Sequence, residues 1–202
     1  MSGALAVLAR IRANRPTDSS YERCEMCATP LGDAHGHVVD VARHALMCAC
    51  RPCYLLFAHD SPSLGRRAVP ERFLALPVQP PQVWDALELP VGTAFLFVSS
   101  AAQRVVALYP GPAGATESEL PLAAWDGVLQ AIPALASIQP DVEAVLVHSG
   151  DDGVAAFLVP IDTCYELVGH LRQLWRGFDG GQDVHRRLES FFAEIRAQSA
   201  AG

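Results

Sequence analysis

The sequence predicts an α+β protein in two unequal parts: a small four-cysteine ribbon, then a larger domain with an antiparallel sheet of about four strands and packed helices. Three observations predict it. Two C-x2-C pairs, Cys24 with Cys27 and Cys50 with Cys53, stand 22 residues apart. Further on, two pairs of β-rich runs are each joined by a short polar or glycine-rich turn, the pattern of hairpins. A stretch with apolar residues at helical spacing follows each pair. At 202 residues, 50% of them hydrophobic, the chain can bury a core in one ordinary domain and carry a small one beside it.

Residues 1–19 open the chain, and Leu5, Leu8 and Ile11 with Arg10, Arg12 and Arg15 give an amphipathic helix over Met1 to Pro16. The arginines follow the apolar run, whereas a signal peptide carries its positive residues before it. No stretch reaches the roughly 18–20 apolar residues of a membrane span. A cytoplasmic location is therefore expected. Thiols stay reduced there, so six cysteines point to metal rather than to disulfides.

The ribbon occupies residues 20–60. His37–Val41 and Ala45–Met47 read as two strands around Ala42-Arg43-His44, which brings the second cysteine pair back beside the first. Pro62, Pro70, Pro77, Pro80 and Pro81 make residues 61–81 a stiff, largely non-helical connector. The α+β domain takes 82–202. Gln82–Glu88 reads as a short helix, and Thr93–Ser99 with Arg104–Tyr109 as the first hairpin. A loop at Pro110–Ala115 leads to a helix over Leu122–Ala131, disturbed at Pro133. Val142–His148 and Val154–Val159 form the second hairpin, turning at Gly150-Asp151-Asp152-Gly153. Asp162 is placed to cap a helix over Thr163–Trp175, and Gln182–Ala197 makes the last one. Each hairpin ends in proline and each following helix carries a tryptophan (Trp125, Trp175), so an internal duplication is conceivable.

Charge excludes some functions. The net charge is −7, with nine arginines against seven acids in residues 1–75 (+2) and six against fifteen in 76–202 (−9). The acidic domain repels phosphate backbones, so no nucleic-acid partner is expected. All fifteen cationic residues are arginine. Without lysine there is neither Schiff-base chemistry nor a lysine-dependent phosphate loop.

The cysteine pairs carry the chemistry. Each C-x2-C turn aims two sulfurs at one point, and four thiolates satisfy a tetrahedral ion, which assigns Cys24, Cys27, Cys50 and Cys53 as ligands. Cys48 would share a strand face with Cys50 and could replace it, or lie beside the metal as a spare sulfur. His35 and His37 could also ligate, but a fourth thiol makes that unnecessary, and they read as solvated polar residues at a strand start. Zinc is expected. Iron in a rubredoxin-like site is the alternative, disfavoured because Ala28 and Tyr54 stand where iron knuckles usually place glycine.

Other candidates are weaker. The glycine-rich 110–116 loop lacks the P-loop pattern. W-R-G-F-D-G-G at 175–181 reads as a helix stop, with an anion nest around Arg176 as the alternative. Cys164 reads as packing, and His148 beside Ser149 and Asp151 is adjacency rather than a triad.

The phrases C-E-M-C-A-T-P-L (24–31), H-G-H-V-V-D (35–40), C-A-C-R-P-C (48–53), L-Y-P-G-P-A-G-A-T-E-S (108–118), V-P-I-D-T-C-Y-E-L-V-G (159–169) and W-R-G-F-D-G-G (175–181) resemble an uncharacterised bacterial zinc-ribbon family encoded beside genes for high-affinity nickel–iron hydrogenases. The resemblance runs from about residue 20 onward. It implies a non-catalytic, metal-binding accessory protein that docks on a hydrogenase or helps to assemble or mature it. Hydrogenase subunits or maturation factors would be its partners. Two other readings stand beside it: an electron carrier with iron in the four-cysteine site, and a small-molecule enzyme with a pocket beneath the 108–118 loop.

Overall fold

The computed structural model describes residues 22–58, 65–78, 84, 87, 92–118, 122–150, 153–177 and 180–200. The helix expected over Met1 to Pro16 lies outside them, as do most of the Gln82–Glu88 helix and the Asp151-Asp152 turn. Trp84 and Leu87 are described, and both are buried.

The ribbon is built on a three-stranded antiparallel sheet. Strand β1 (Gly36–Asp40) pairs with β2 (Ala45–Ala49), His37 lying opposite Cys48 and Val39 opposite Leu46. At the turn between them the Asp40 carboxylate accepts the Arg43 N–H at 3.1 Å, and His44 takes φ +52°. The third strand, β3 (Arg66–Ala68), pairs with the other edge of β1. It comes from the stretch read as connector. A short helix, α1 (Arg51–Leu55), starts immediately after Cys50 with Pro52 in its first turn. Val38, Ala49, Phe57 and Ala68 form the ribbon's small apolar cluster.

The larger sheet has six antiparallel strands rather than about four, in the order β4-β9-β8-β5-β6-β7. The four anticipated strands are β5 (Thr93–Ser99), β6 (Arg104–Gly111), β8 (Glu143–Gly150) and β9 (Gly153–Pro160). The other two close its edges. β7 (Gly114–Ser118) turns the expected 110–115 loop into a hairpin on β6, and β4 (Leu74–Ala75) is a two-residue strand on β9. Both were hidden for physical reasons: β7 is polar, and β4 is too short to show a period.

Both faces of this sheet are covered, which is why β5 is buried along almost its whole length. One cross-strand row, Leu108, Phe95, Leu146 and Phe157, faces helices α3 (Ile161–Leu174) and α4 (Gly181–Ala200). The next row, Ala107, Leu96, Val145 and Leu158, faces α2 (Leu122–Ala131) and the 3₁₀ turn Pro133–Ser137. This arrangement counts against the duplication. β5 and β8 are antiparallel neighbours, so a two-fold relating the hairpins runs normal to the sheet and would keep both helices on one face. Trp125 and Trp175 instead join opposite faces.

The ribbon sits on the α3/α4 side. Val39 and Val69 belong to that core, and Arg67 reaches Asp141 at 3.7 Å. Arg72 grips the fully buried Glu143 with two bonds, Nε to Oε1 at 2.7 Å and Nη2 to Oε2 at 2.8 Å.

Candidate metal centre

Two different turns bring the four thiols together. The first pair lies on a knuckle closed by Ala28 N–H to the Cys24 carbonyl at 2.7 Å and Cys24 N–H to the Thr29 carbonyl at 2.9 Å. Ala28 takes the left-handed φ of +60° that glycine favours. The knuckle thus keeps the required conformation with alanine in place. The second pair straddles a helix start: Cys50 is the N-cap residue of α1, and Tyr54 N–H bonds back to its carbonyl at 2.9 Å. Glu25 locks the knuckle to β2. Its N–H donates to the Cys48 carbonyl at 3.0 Å, and its carboxylate accepts the Cys48 N–H at 2.8 Å.

The sulfurs of Cys24, Cys27, Cys50 and Cys53 all lie within 4.8 Å of one another, and those of Cys27 and Cys50 are 3.5 Å apart. A tetrahedral ion with bonds of about 2.3 Å holds its sulfurs roughly 3.8 Å apart. The four could therefore hold a metal ion.

Their electrostatics agree. Burial alone would push the Cys24 thiol up, but N–H groups of Cys50, Cys27 and Met26 aimed at it outweigh burial and bring it down to about 6. Cys27 is lowered by the Thr29 hydroxyl and N–H. Cys53 is pushed up to about 12, chiefly by its bond with Cys50, then by burial and by the other thiols. Cys24 and Cys27 are thus drawn toward the thiolate, while Cys50 and Cys53 are pushed away from it. A divalent cation at the centre reverses that repulsion, the condition for four thiolates to form together.

Tyr54 sits where its bulk seemed to argue against iron. Its ring lies on Gly36 of β1, and its hydroxyl donates to the Val69 carbonyl at 2.9 Å. A Cβ at Gly36 would come within 2.6 Å of that ring. Gly36→Ala is therefore expected to lower stability by about 1–3 kcal/mol through overpacking. Denaturant titration checks it, and a change under 0.5 kcal/mol would show that Tyr54 moves freely.

Cys48 does not join the four. It faces His35 and His37, and the three ligand atoms lie within 4.8 Å of one another. Strand alternation put Cys48 and Cys50 on one face, but β2 stops at Ala49 and the helix start turns Cys50 away. Nor is His35 solvated: its side chain is 10% exposed. His37 Nδ1 lies 2.7 Å from Asp162 Oδ2, a bond that raises the His37 imidazole above its ordinary value. Asp162 was expected as a helix N-cap. It lies inside the first turn of α3 instead, and Pro160 holds the cap position.

The weaker candidates resolve as follows. Pro110–Gly111 and Gly114–Ala115 pair across a tight hairpin. The described part of the 175–181 corner is a helix stop, with Arg176 N–H on the Gly180 carbonyl and its guanidinium on the carbonyls of Gln173 and Trp175. Cys164 is fully buried in the core. His148 bonds Thr93 Oγ1 at 2.8 Å, and burial lowers its imidazole. It lines an open cleft of about 830 Å³ with Trp175, His185, Glu189, Phe192 and Arg196, among others. Asp151 lies outside the described residues. Among the described residues no helix is long and apolar enough to cross a membrane.

The profile of a family of unknown function, DUF5947, matches residues 23–199. No curated protein and no solved structure matches the chain.

Proposed function

We propose that the chain, which belongs to the DUF5947 family, is a non-catalytic accessory protein whose zinc-bound ribbon docks on a nickel–iron hydrogenase subunit or on a factor that assembles or matures one. Cys24, Cys27, Cys50 and Cys53 are the zinc ligands, and a cytoplasmic setting keeps them reduced. A single observation carries the reading. Four thiols within 4.8 Å of one another would close a zinc coordination shell with no position left for substrate, as in structural zinc sites, while the helix bearing Cys53 leaves Leu55 and Leu56 47% and 66% exposed. Large apolar side chains held out on a rigid support mark a protein contact. The hydrogenase as partner rests on the sequence resemblance described above.

Purification of the tagged chain from cells making the hydrogenase tests this. Hydrogenase subunits or maturation factors should accompany the wild type. They should be lost from Leu55→Asp/Leu56→Asp, which keeps its zinc. Cys50→Ser should lose both metal and partner. Recovery of the same hydrogenase components with the aspartate variant would remove Leu55 and Leu56 from the interface, and their absence from the wild-type preparation would remove the hydrogenase role.

A second reading has one observation behind it. Ala28 accepts the left-handed knuckle conformation, and N–H groups point at Cys24, the surroundings an iron–thiolate carrier needs. Red protein with a reversible one-electron couple after aerobic purification would favour it over zinc.

A further inference from the structure

We propose that His35, His37 and Cys48 form a second metal site, separate from the four-cysteine centre and selective for a late first-row divalent ion such as zinc. The ladder builds it. His37 and Cys48 are directly opposed on β1 and β2, so their side chains leave the same face, and His35 stands two residues before His37. One ring nitrogen of each histidine and the Cys48 sulfur lie within 4.8 Å of one another, and the two imidazole rings meet edge to face with centroids 4.9 Å apart.

The tautomers are fixed by partners that can only accept. His35 Nδ1 lies 3.0 Å from the Gly32 carbonyl oxygen, so it carries the proton and donates. His37 Nδ1 likewise donates to the Asp162 carboxylate at 2.7 Å. In the neutral rings both protons are thereby placed on Nδ1, and each Nε2 is left as a lone pair. A backbone carbonyl and a carboxylate behind two imidazoles are the usual supports of metal-bound histidines. The His35 Nε2 is enclosed and has no hydrogen-bond partner. A buried acceptor without a donor is costly, and a cation beside it removes that cost. Two nitrogens and one sulfur leave a fourth position for water or an oxygen ligand. The Glu22 carboxylate lies beside the site, its Oε2 3.5 Å from His35 Nε2.

Titration of the reduced full-length chain with zinc chloride, read by native mass spectrometry, tests the site. Two ions per chain are expected, against one for each of Cys48→Ser, His35→Gln and His37→Gln. In the variants the remaining ion is the four-cysteine one and serves as the folding control. X-ray absorption of the fully loaded wild type should show histidine nitrogen around zinc, about one nitrogen per ion averaged over the two sites. Saturation at one zinc with sulfur alone around it would overturn the proposal, as would two ions retained in the histidine variants.

Discussion

Stripping metal from the reduced protein is expected to erase amide protection across residues 24–57 and 66–69 while β5, β6, β8 and β9 keep theirs. The ribbon's own cluster is Val38, Ala49, Phe57 and Ala68, two of them alanines, with little apolar surface to hold three strands and a five-residue helix. A structural zinc site supplies on the order of 10–16 kcal/mol. Its loss leaves four thiols, with Cys24 drawn toward charge at about 6 and Cys53 pushed away from it to about 12, and nothing to hold them within 4.8 Å. The six-stranded sheet is covered on both faces by its own helices and needs no metal. It would not be untouched. Val39 and Val69 would leave the α3/α4 core, each worth about 1.5–3 kcal/mol when fully buried. The stripped protein should therefore melt earlier but still cooperatively. Hydrogen exchange with and without chelator reads this directly. Collapse of protection over 93–159 as well would make ribbon and sheet one cooperative unit, contrary to the expectation of a self-sufficient domain from residue 82.

What was legible follows from the range of the forces involved. The C-x2-C turns and the apolar hairpin runs are local patterns, and T-A-F-L-F-V-S could be placed as a strand because both its faces are buried. The polar G-A-T-E-S strand owes its place to pairing with β6 and so carries no hydrophobic period of its own. Cys48 was ambiguous because alternation holds only while a strand lasts, and Pro52 at the start of α1 ends it one residue before Cys50. The histidines were the least legible. What sets the His37 tautomer is Asp162, 125 residues further along the chain, and no spacing rule reaches that far. The same aspartate looked like a helix cap for the opposite reason: locally it sits near a helix start, and its tertiary partner cannot be seen from there.

Arg72→Ala is expected to cost about 3 kcal/mol, more than Glu143→Gln, although both remove the same ion pair. The reason is burial. Glu143 is fully enclosed at the start of β8, while the Arg72 side chain is 39% exposed. Without the guanidinium, Glu143 keeps, among the described residues, only the Gln139 N–H, 2.8 Å from Oε2, and a buried carboxylate is left short of partners. Breaking a buried pair from one side typically costs about 3–5 kcal/mol, and water entering where the arginine stood keeps this case near the lower end. Glu143→Gln leaves the residual charge on the arginine, which reaches solvent and still bonds the Ser137 hydroxyl and carbonyl at 3.2 and 3.1 Å. About 1–2 kcal/mol is expected there. The paired replacement Arg72→Met/Glu143→Leu should recover most of the loss, because the desolvation cost of both charges disappears together. Urea denaturation of the four proteins measures all three quantities. Equal losses for the two single variants would mean that water already reaches Glu143. A double variant as unstable as Arg72→Ala would mean that the arginine stem and its Ser137 bonds, rather than the charge pair, hold residues 71–73 against the sheet.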